Sequence, residues 1–348
     1  MAYTTIDDTT IYFNTVLWTG TGSSMNITGV GFQPDWTWIK PRSVTDNHVL
    51  FDSVRGVTKR LVSNLNSAEV TVSDMITSFD SDGFSLGTNS NVSGSGTTFV
   101  GWSWVAGGSA SSNTDGGTSS SVSVNTTAGF SIVNWAGSSS ASVQTIGHGL
   151  GTTPHWILTK NRGAGSSITA WINYHHKIDA SAPEDFTIYM NNTDARVDNS
   201  VHGDTKPTSS VFSFNTGTDD QNYISYCFTE KQGFSKFGSY TGNGNADGPY
   251  IYLGFRPAWI LIRVTSTSND WILLDNKRDS FNVATKKLLP NESNAESSDS
   301  GVSTDFLSNG FKIRTAGGNV NQSSATFLYM AFAESPFVNS NGVPTNAR

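Results

Sequence analysis

Three short stretches of the chain alternate large apolar residues with small ones in the same way: FVGWSW ending at Trp104, YISYCF ending at Phe228 and FLYMAF ending at Phe332. Alternate residues of a strand share a face. One face therefore carries Val100, Trp102 and Trp104 in the first stretch, Ile224, Tyr226 and Phe228 in the second, and Leu328, Met330 and Phe332 in the third. A face that is large and apolar in all three predicts a strand pointing into a core, each within its own repeat. Ser103, Cys227 and Ala331 hold the equivalent small positions. Cys227 is thus expected to fill a slot that admits only a small side chain, not to act as a nucleophile.

Other segments repeat in the same order. ITGVGFQPDWTWIK, IGHGLGTTPHWILTK and YLGFRPAWILIR each place Pro-x-Trp at the head of an apolar run: Pro34 and Trp36, Pro154 and Trp156, Pro257 and Trp259. Proline has no N–H for a ladder and suits the start of a strand, with tryptophan opening the buried run. Upstream, Phe13 to Trp18, Phe130 to Trp135 and Phe234 to Tyr240 each precede a glycine-containing turn. Downstream, HVLFDSVRG, TAWINYHHK and DWILLDNKR correspond, with Asp52, Tyr174 and Asp275 aligned. Ser81-Asp82-Gly83 and Ser308-Asn309-Gly310 lie between phenylalanines and predict hairpin turns, glycine supplying positive φ.

About six or seven strands per copy predict an all-β fold of three tandem related β-sandwich modules, jelly-roll or lectin-like. The expected boundaries are residues 1–106, 125–232 and 233–337, with a Gly/Ser-rich flexible linker at 107–124 and an irregular tail at 338–348. Composition agrees. Ser, Thr and Asn make up roughly a third of the 348 residues and interrupt helices, while Thr and the aromatics suit pleated surfaces. The net charge of −7 favours neither nucleic acid nor an anionic membrane. No apolar run long enough to span a bilayer occurs, so membrane insertion is not expected. The start, MAYTTIDD, lacks a secretion signal. One cysteine leaves stability to packing.

FDSVRGVTKRLVSN, PTSSVFSFNTGT, ISYCFTEKQGFSKFGSYTGNGNADGP, LGFRPAWILI, DNKRDSFN and FLYMAFAESPF resemble a module of uncharacterised virion and tail-fibre-like proteins of marine tailed bacteriophages. The resemblance covers nearly the whole chain. It implies a virion component, made in the host cytoplasm and carried on the tail or capsid surface. It transfers no catalytic residue.

Candidate chemistry is sparse. Gly83-Phe84-Ser85-Leu86-Gly87 matches a nucleophile elbow, but the serine sits within a predicted strand and Lys312 replaces it in the third copy. Asp80-Ser81-Asp82-Gly83 opens like a calcium loop without the later carboxylates. His175 and His176 are adjacent and would point to opposite faces, and His48, His148, His155 and His202 lack metal spacing. Asp52 with Arg55, and Asp275 with Arg278, read as ion pairs pinning a turn, worth about 0–1 kcal/mol if exposed. Trp18, Trp135 and Tyr240, equivalent and beside turns, are the binding candidates, as platforms for sugar rings, with a core position as the competing reading.

No catalytic residue, metal or cofactor is expected. The leading expectation is a non-enzymatic structural surface protein of a phage particle, a tail fibre or adhesin contacting host-surface glycans. A capsid or tail decoration protein (a cement or head-fibre protein) is the alternative, since three modules in one chain could mimic a trimer on a threefold position. A glycan depolymerase is the third class. Expected partners are other virion proteins, a host glycan and further copies of the chain, with no nucleic acid.

Overall fold

The computed structural model describes residues 3–139, 143–164, 168–217 and 219–345; the end of the expected tail, residues 346–348, lies outside them. The chain is all-β, with antiparallel ladders and only single-turn helical pieces among the described residues. Among the described residues no helix is long and apolar enough to cross a membrane.

One strand order recurs three times. The first large sheet runs Phe13–Thr19, Thr98–Trp104, Trp36–Pro41, Val49–Asp52, Lys59–Val62, Val70–Thr71. The second runs Phe130–Ala136, Asn222–Phe228, Trp156–Asn161, Trp171–His175, Phe186–Tyr189, Val197–Asp198. The third runs Ser235–Thr241, Thr326–Pro336, Phe255–Val264, Ile272–Asp275, then continues through a Leu273–Leu288 bridge towards the pair Lys286–Lys287 and Ser297–Ser298. The Pro-x-Trp tryptophans occupy one register. Trp36 lies between Trp104 and Asp52, Trp156 between Phe228 and His175, and Trp259 between Phe332 and Asp275.

Each large sheet is covered by a smaller one: Met25–Ile27, Gly83–Leu86 and Ile76–Asp80 in the first repeat, Val143–Gly147 and Val211–Asn215 in the second, and Tyr250–Tyr252, Gly310–Ile313 and Thr304–Leu307 in the third. Ile39, Phe51, Phe84 and Phe99 fill the first interlayer core. Cys227 lies in the second, fully buried beside Phe212 and Tyr223. Both hairpins form, but the expected positive φ is found only at Gly83, at 146°, and not at Gly310; a close approach demands both glycines. A Cβ on Gly83 would stand 2.0 Å from the Ile27 carbonyl oxygen, and one on Gly310 2.1 Å from that of Ile251.

The opposite faces of the three large sheets meet in one shared core. Trp36, Trp38, Trp102, Trp104, Trp156, Trp171, Trp259, Trp271, Tyr226, Phe228, Met330 and Phe332 all belong to it. Trp36 stacks on Tyr226 with ring centroids 4.5 Å apart, Trp104 meets Trp259 at 5.8 Å, and Phe228 meets Phe332 at 5.6 Å. The large face of each closing strand therefore does not fill its own sandwich, as alternation suggested; it closes a core common to all three repeats. Period-two alternation identifies a buried face without saying what covers it. The chain ends reinforce the closure. Tyr3 donates to the Gly254 carbonyl at 3.0 Å, Thr4 to that of Gln232 at 2.7 Å, and Thr9 to that of Glu334 at 2.6 Å, tying the start of the first repeat to the end of the second and to the third.

The expected flexible linker at 107–124 is a correction. Ser111–Asn113 and Ser120–Asn125 pair with each other and add two strands to the second large sheet. Ser121-Val122-Ser123-Val124 alternates with strand period, burying Val122, and Ser120 donates to the Gly147 carbonyl at 2.8 Å. Serine and glycine content suggested a tether, but the alternation decided the outcome.

Candidate functional site

The repeats meet along three seams, two of them built alike. Arg55 follows Asp52 by three residues, and its Nε donates to Asp52 Oδ2 at 2.5 Å with both side chains fully buried. Its Nη1 donates to Glu69 at 3.0 Å. From the second repeat, the Tyr226 hydroxyl donates to Asp52 Oδ2 at 2.7 Å, and Arg162 closes on Glu69 with two bonds of 2.9 Å. The first and third repeats are joined by the same device. Arg278 binds Asp275 at 2.5 Å and Glu296 at 3.2 Å, Trp102 donates its indole N–H to Asp275 at 3.0 Å, and Arg42 grips Glu296 at 2.9 and 2.8 Å. Burial raises Glu69 and Glu296, but their paired guanidiniums outweigh it and hold both carboxyls below the usual range. These pairs do pin the turn, Asp52 Oδ1 accepting the Val54 and Arg55 N–H groups and Asp275 Oδ1 those of Lys277 and Arg278, but they are fully buried and also bind repeat to repeat.

The third seam, between repeats two and three, has lost every one of these groups. The aspartate position carries His175, one residue beyond the expected Tyr174, because Trp156 faces His175 as Trp36 faces Asp52. Three residues on, Ile178 stands where the arginines stand. The donor position of Trp102 and Tyr226 holds Met330, which has no N–H or O–H to offer a carboxylate. The backbone N–H groups of Glu69, Glu296 and Arg196 bind the carbonyls of Arg162, Arg42 and Thr265, so Arg196 replaces a glutamate and Thr265 replaces an arginine. The changes are mutually consistent. Without a donor opposite, a buried aspartate would cost several kcal/mol, whereas neutral His175 accepts the Lys177 N–H at Nδ1 and aims Nε2 at the Tyr329 carbonyl, 3.4 Å away. Burial, with neighbouring His176 adding to it, keeps His175 well below the ordinary histidine range.

Shortening Arg to Thr opens a cavity of about 550 Å³ in this seam. Lys177, Asp179 and Arg196 line it from the second repeat, and Ser239, Thr241, Thr265, Ser266 and Thr326 from the third. Arg196 pairs with Asp179 at 2.9 Å, donates to the Ile178 carbonyl and lies 4.2 Å over the Phe186 ring. His176, pushed down by burial to about 4 and so neutral, places Nε2 2.6 Å from the Phe237 carbonyl.

The three binding candidates read from sequence lie elsewhere. Trp18, Trp135 and Tyr240 do occupy one register, opposite Phe99, Tyr223 and Phe327. Each stacks on that partner, at 5.4, 4.4 and 5.1 Å, on the sandwich side of its large sheet. Their polar atoms are occupied as well: Trp18 donates to the Val92 carbonyl, Trp135 to Ser225 and Tyr240 to the Val320 carbonyl. Trp135 and Tyr240 are buried and Trp18 half-buried, so the rings serve packing; Tyr240 only borders the cavity. The Ser85 hydroxyl lies 3.0 Å from Asn26 and 2.6 Å from Asp80, and Asp82 accepts the Gly29 and Gly31 N–H groups, making that loop a pinned turn. Among the described residues no group of three or more His, Cys, Asp or Glu side chains converges as metal ligands. Sequence reading missed Ile178, Arg196 and Thr265; the usable signal was the residue six beyond each conserved tryptophan, Arg42, Arg162 and Thr265.

Fold and seams together define an all-β protein in which three like sheets of one chain close on a common aromatic centre. The chain belongs to a family described as a domain of unknown function (DUF7483), which matches residues 8–336. No curated protein and no solved structure matches it.

Proposed function

We propose that this chain is a non-enzymatic structural surface protein of a tailed-bacteriophage particle, acting as a tail-fibre or adhesin component that contacts host-surface glycans. The observation that carries the reading is the closure of three repeats into a single-chain counterpart of a trimer around the shared core. Such a body offers a rigid frame from which loops can be displayed without assembling separate subunits. The likeness to virion proteins supplies the setting. The groups that could have carried chemistry are engaged in structure: Ser85 is bonded to two side chains, and burial pushes the Cys227 thiol up, away from thiolate. Other virion proteins, and further copies of the chain, are its partners in this reading.

The pseudo-threefold form also favours a second reading, a decoration protein seated on a threefold or quasi-threefold capsid position. The test is to locate the chain in intact particles by cryo-electron microscopy and to incubate purified protein with host-surface polysaccharide. Tail density and retained, unshortened polysaccharide are expected. Capsid density without retention favours the decoration protein, and shortened polysaccharide overturns the non-enzymatic reading.

A further inference from the structure

We propose that the cavity in the seam between repeats two and three is a binding site for an acidic sugar unit of a polysaccharide. The proposal rests on the glycan-contact reading above and deepens it by naming the site and the class of sugar.

The first support is comparative. The same position at the other two seams is filled by Arg162 or Arg42, locked onto a glutamate by paired hydrogen bonds. Here Thr265 leaves about 550 Å³ open, within the size range of small-molecule sites. The vacated space did not collapse, because the large sheets on either side are held by the shared core and by the Arg196–Thr265 backbone bond.

The second support is chemical. The wall from the third repeat is hydroxylated, from Ser239 and Thr241 to Ser266 and Thr326, giving donors and acceptors that match sugar hydroxyls. The wall from the second repeat carries two cations, Lys177 and Arg196, against one carboxylate, Asp179. That carboxylate is already engaged by Arg196 and by the Ser181 and Ala182 N–H groups, which hold it below the ordinary range. His176 is neutral. The lining side chains thus carry one excess positive charge, on the exposed Lys177 ammonium, while Glu230 lies behind the wall, 3.9 Å from His176 and engaged by the Phe237 N–H; a carboxylate-bearing ring answers both walls at once. A nucleotide would need a free aromatic face, and the ring nearest the cavity, Tyr240, is stacked on Phe327.

The test is titration calorimetry of the full chain with oligogalacturonate, and with dextran oligosaccharides as neutral probes. Binding of the acidic probe only is expected, weak for a single site. Lys177→Gln, at an exposed position, should weaken it about tenfold (about 1.4 kcal/mol) at unchanged melting temperature. Thr265→Arg with Arg196→Glu recreates the Glu–Arg pair that fills this position at the other two seams and should abolish binding while the protein stays folded. Equal binding of neutral and acidic probes overturns the charge assignment. Unchanged binding in both variants overturns the site, and no binding of either probe overturns the proposal. None of these results bears on where the chain sits in a particle, so the virion reading stands or falls separately.

Discussion

The two charged seams and the vacated one solve the same geometric problem with opposite chemistry. Where Asp52 and Asp275 are buried, each has an arginine three residues on and a donor reaching over from the next repeat, Tyr226 or Trp102. Where the next repeat offers Met330, histidine and isoleucine take their places and the charge withdraws to the rim as Asp179–Arg196. A buried carboxylate is tolerated only with its full set of donors, so losing one member of the set removes the rest. The difference teaches that the seams, not the sandwiches, are where repeats of this chain acquired separate identities.

The contrast can be broken most severely by removing one partner of a buried pair. Arg278→Ala or Arg55→Ala leaves a buried aspartate uncompensated and should cost roughly 3–5 kcal/mol in urea unfolding. A comparable loss, again about 3–5 kcal/mol, is expected for Phe228→Ala or Phe332→Ala in the shared core. Because that core is common, unfolding should remain one transition for all three repeats; separate transitions would show that the repeats are energetically independent.

Acid should separate the seams in time. His175 and His176 have folded-state values below the unfolded one of about 6.5. The unfolded chain therefore takes up protons first, and their contribution to stability, complete above that value, is lost as pH falls through 6.5 towards 4. Glu69 and Glu296 are also held below the ordinary glutamate range, so the charged seams keep their contribution until pH drops below that range. Hydrogen exchange at pH 5 should show faster exchange around 175–180 than around 52–56 and 275–279; uniform protection would contradict the assignment.

A smaller effect has the opposite sign. Lys40 and Lys160, equivalent and buried, are pushed down by desolvation to about 8. Both forms of the chain hold these protons below pH 8, so the penalty of burying the ammonium is complete there and is relieved between 8 and the unfolded value of about 10.4. The melting temperature should rise modestly from pH 7.5 to 9.5, and Lys160→Met should flatten that rise. The smallest effect expected is that of Thr265→Arg with Arg196→Glu on stability, within about 1 kcal/mol, since the recreated pair sits partly exposed.

Much of the fold was legible because its signals are local. The Pro-x-Trp heads and closing strands repeat at fixed register, and Trp36, Trp156 and Trp259 share one position. The shared core was not legible, since strands buried on both faces show large residues without naming the covering layer. The seams were hidden by separation: Glu69 and Arg162 lie 93 residues apart, Arg42 and Glu296 254. The Asp52–Arg55 spacing was visible, but its burial depends on Tyr226, 171 residues from Arg55. The slip from His175 to Tyr174 came from aligning segments by likeness, where strand register sets the true correspondence.

The crowding of indoles at the centre has an optical consequence. Trp36, Trp38, Trp102 and Trp104 lie with ring centroids 4.5 to 6.0 Å apart along adjoining contacts, and Trp104 continues the series to Trp259 at 5.8 Å. Chromophores this close, tilted in a fixed chiral array, couple their electronic transitions and pass excitation among themselves. Fluorescence from the intact chain should be strongly depolarised even while tumbling is slow, and the near-ultraviolet dichroism should carry an exchange between rings of different repeats. That signal belongs to no repeat alone, so its loss would mark the moment the three come apart, whatever their individual sheets are still doing.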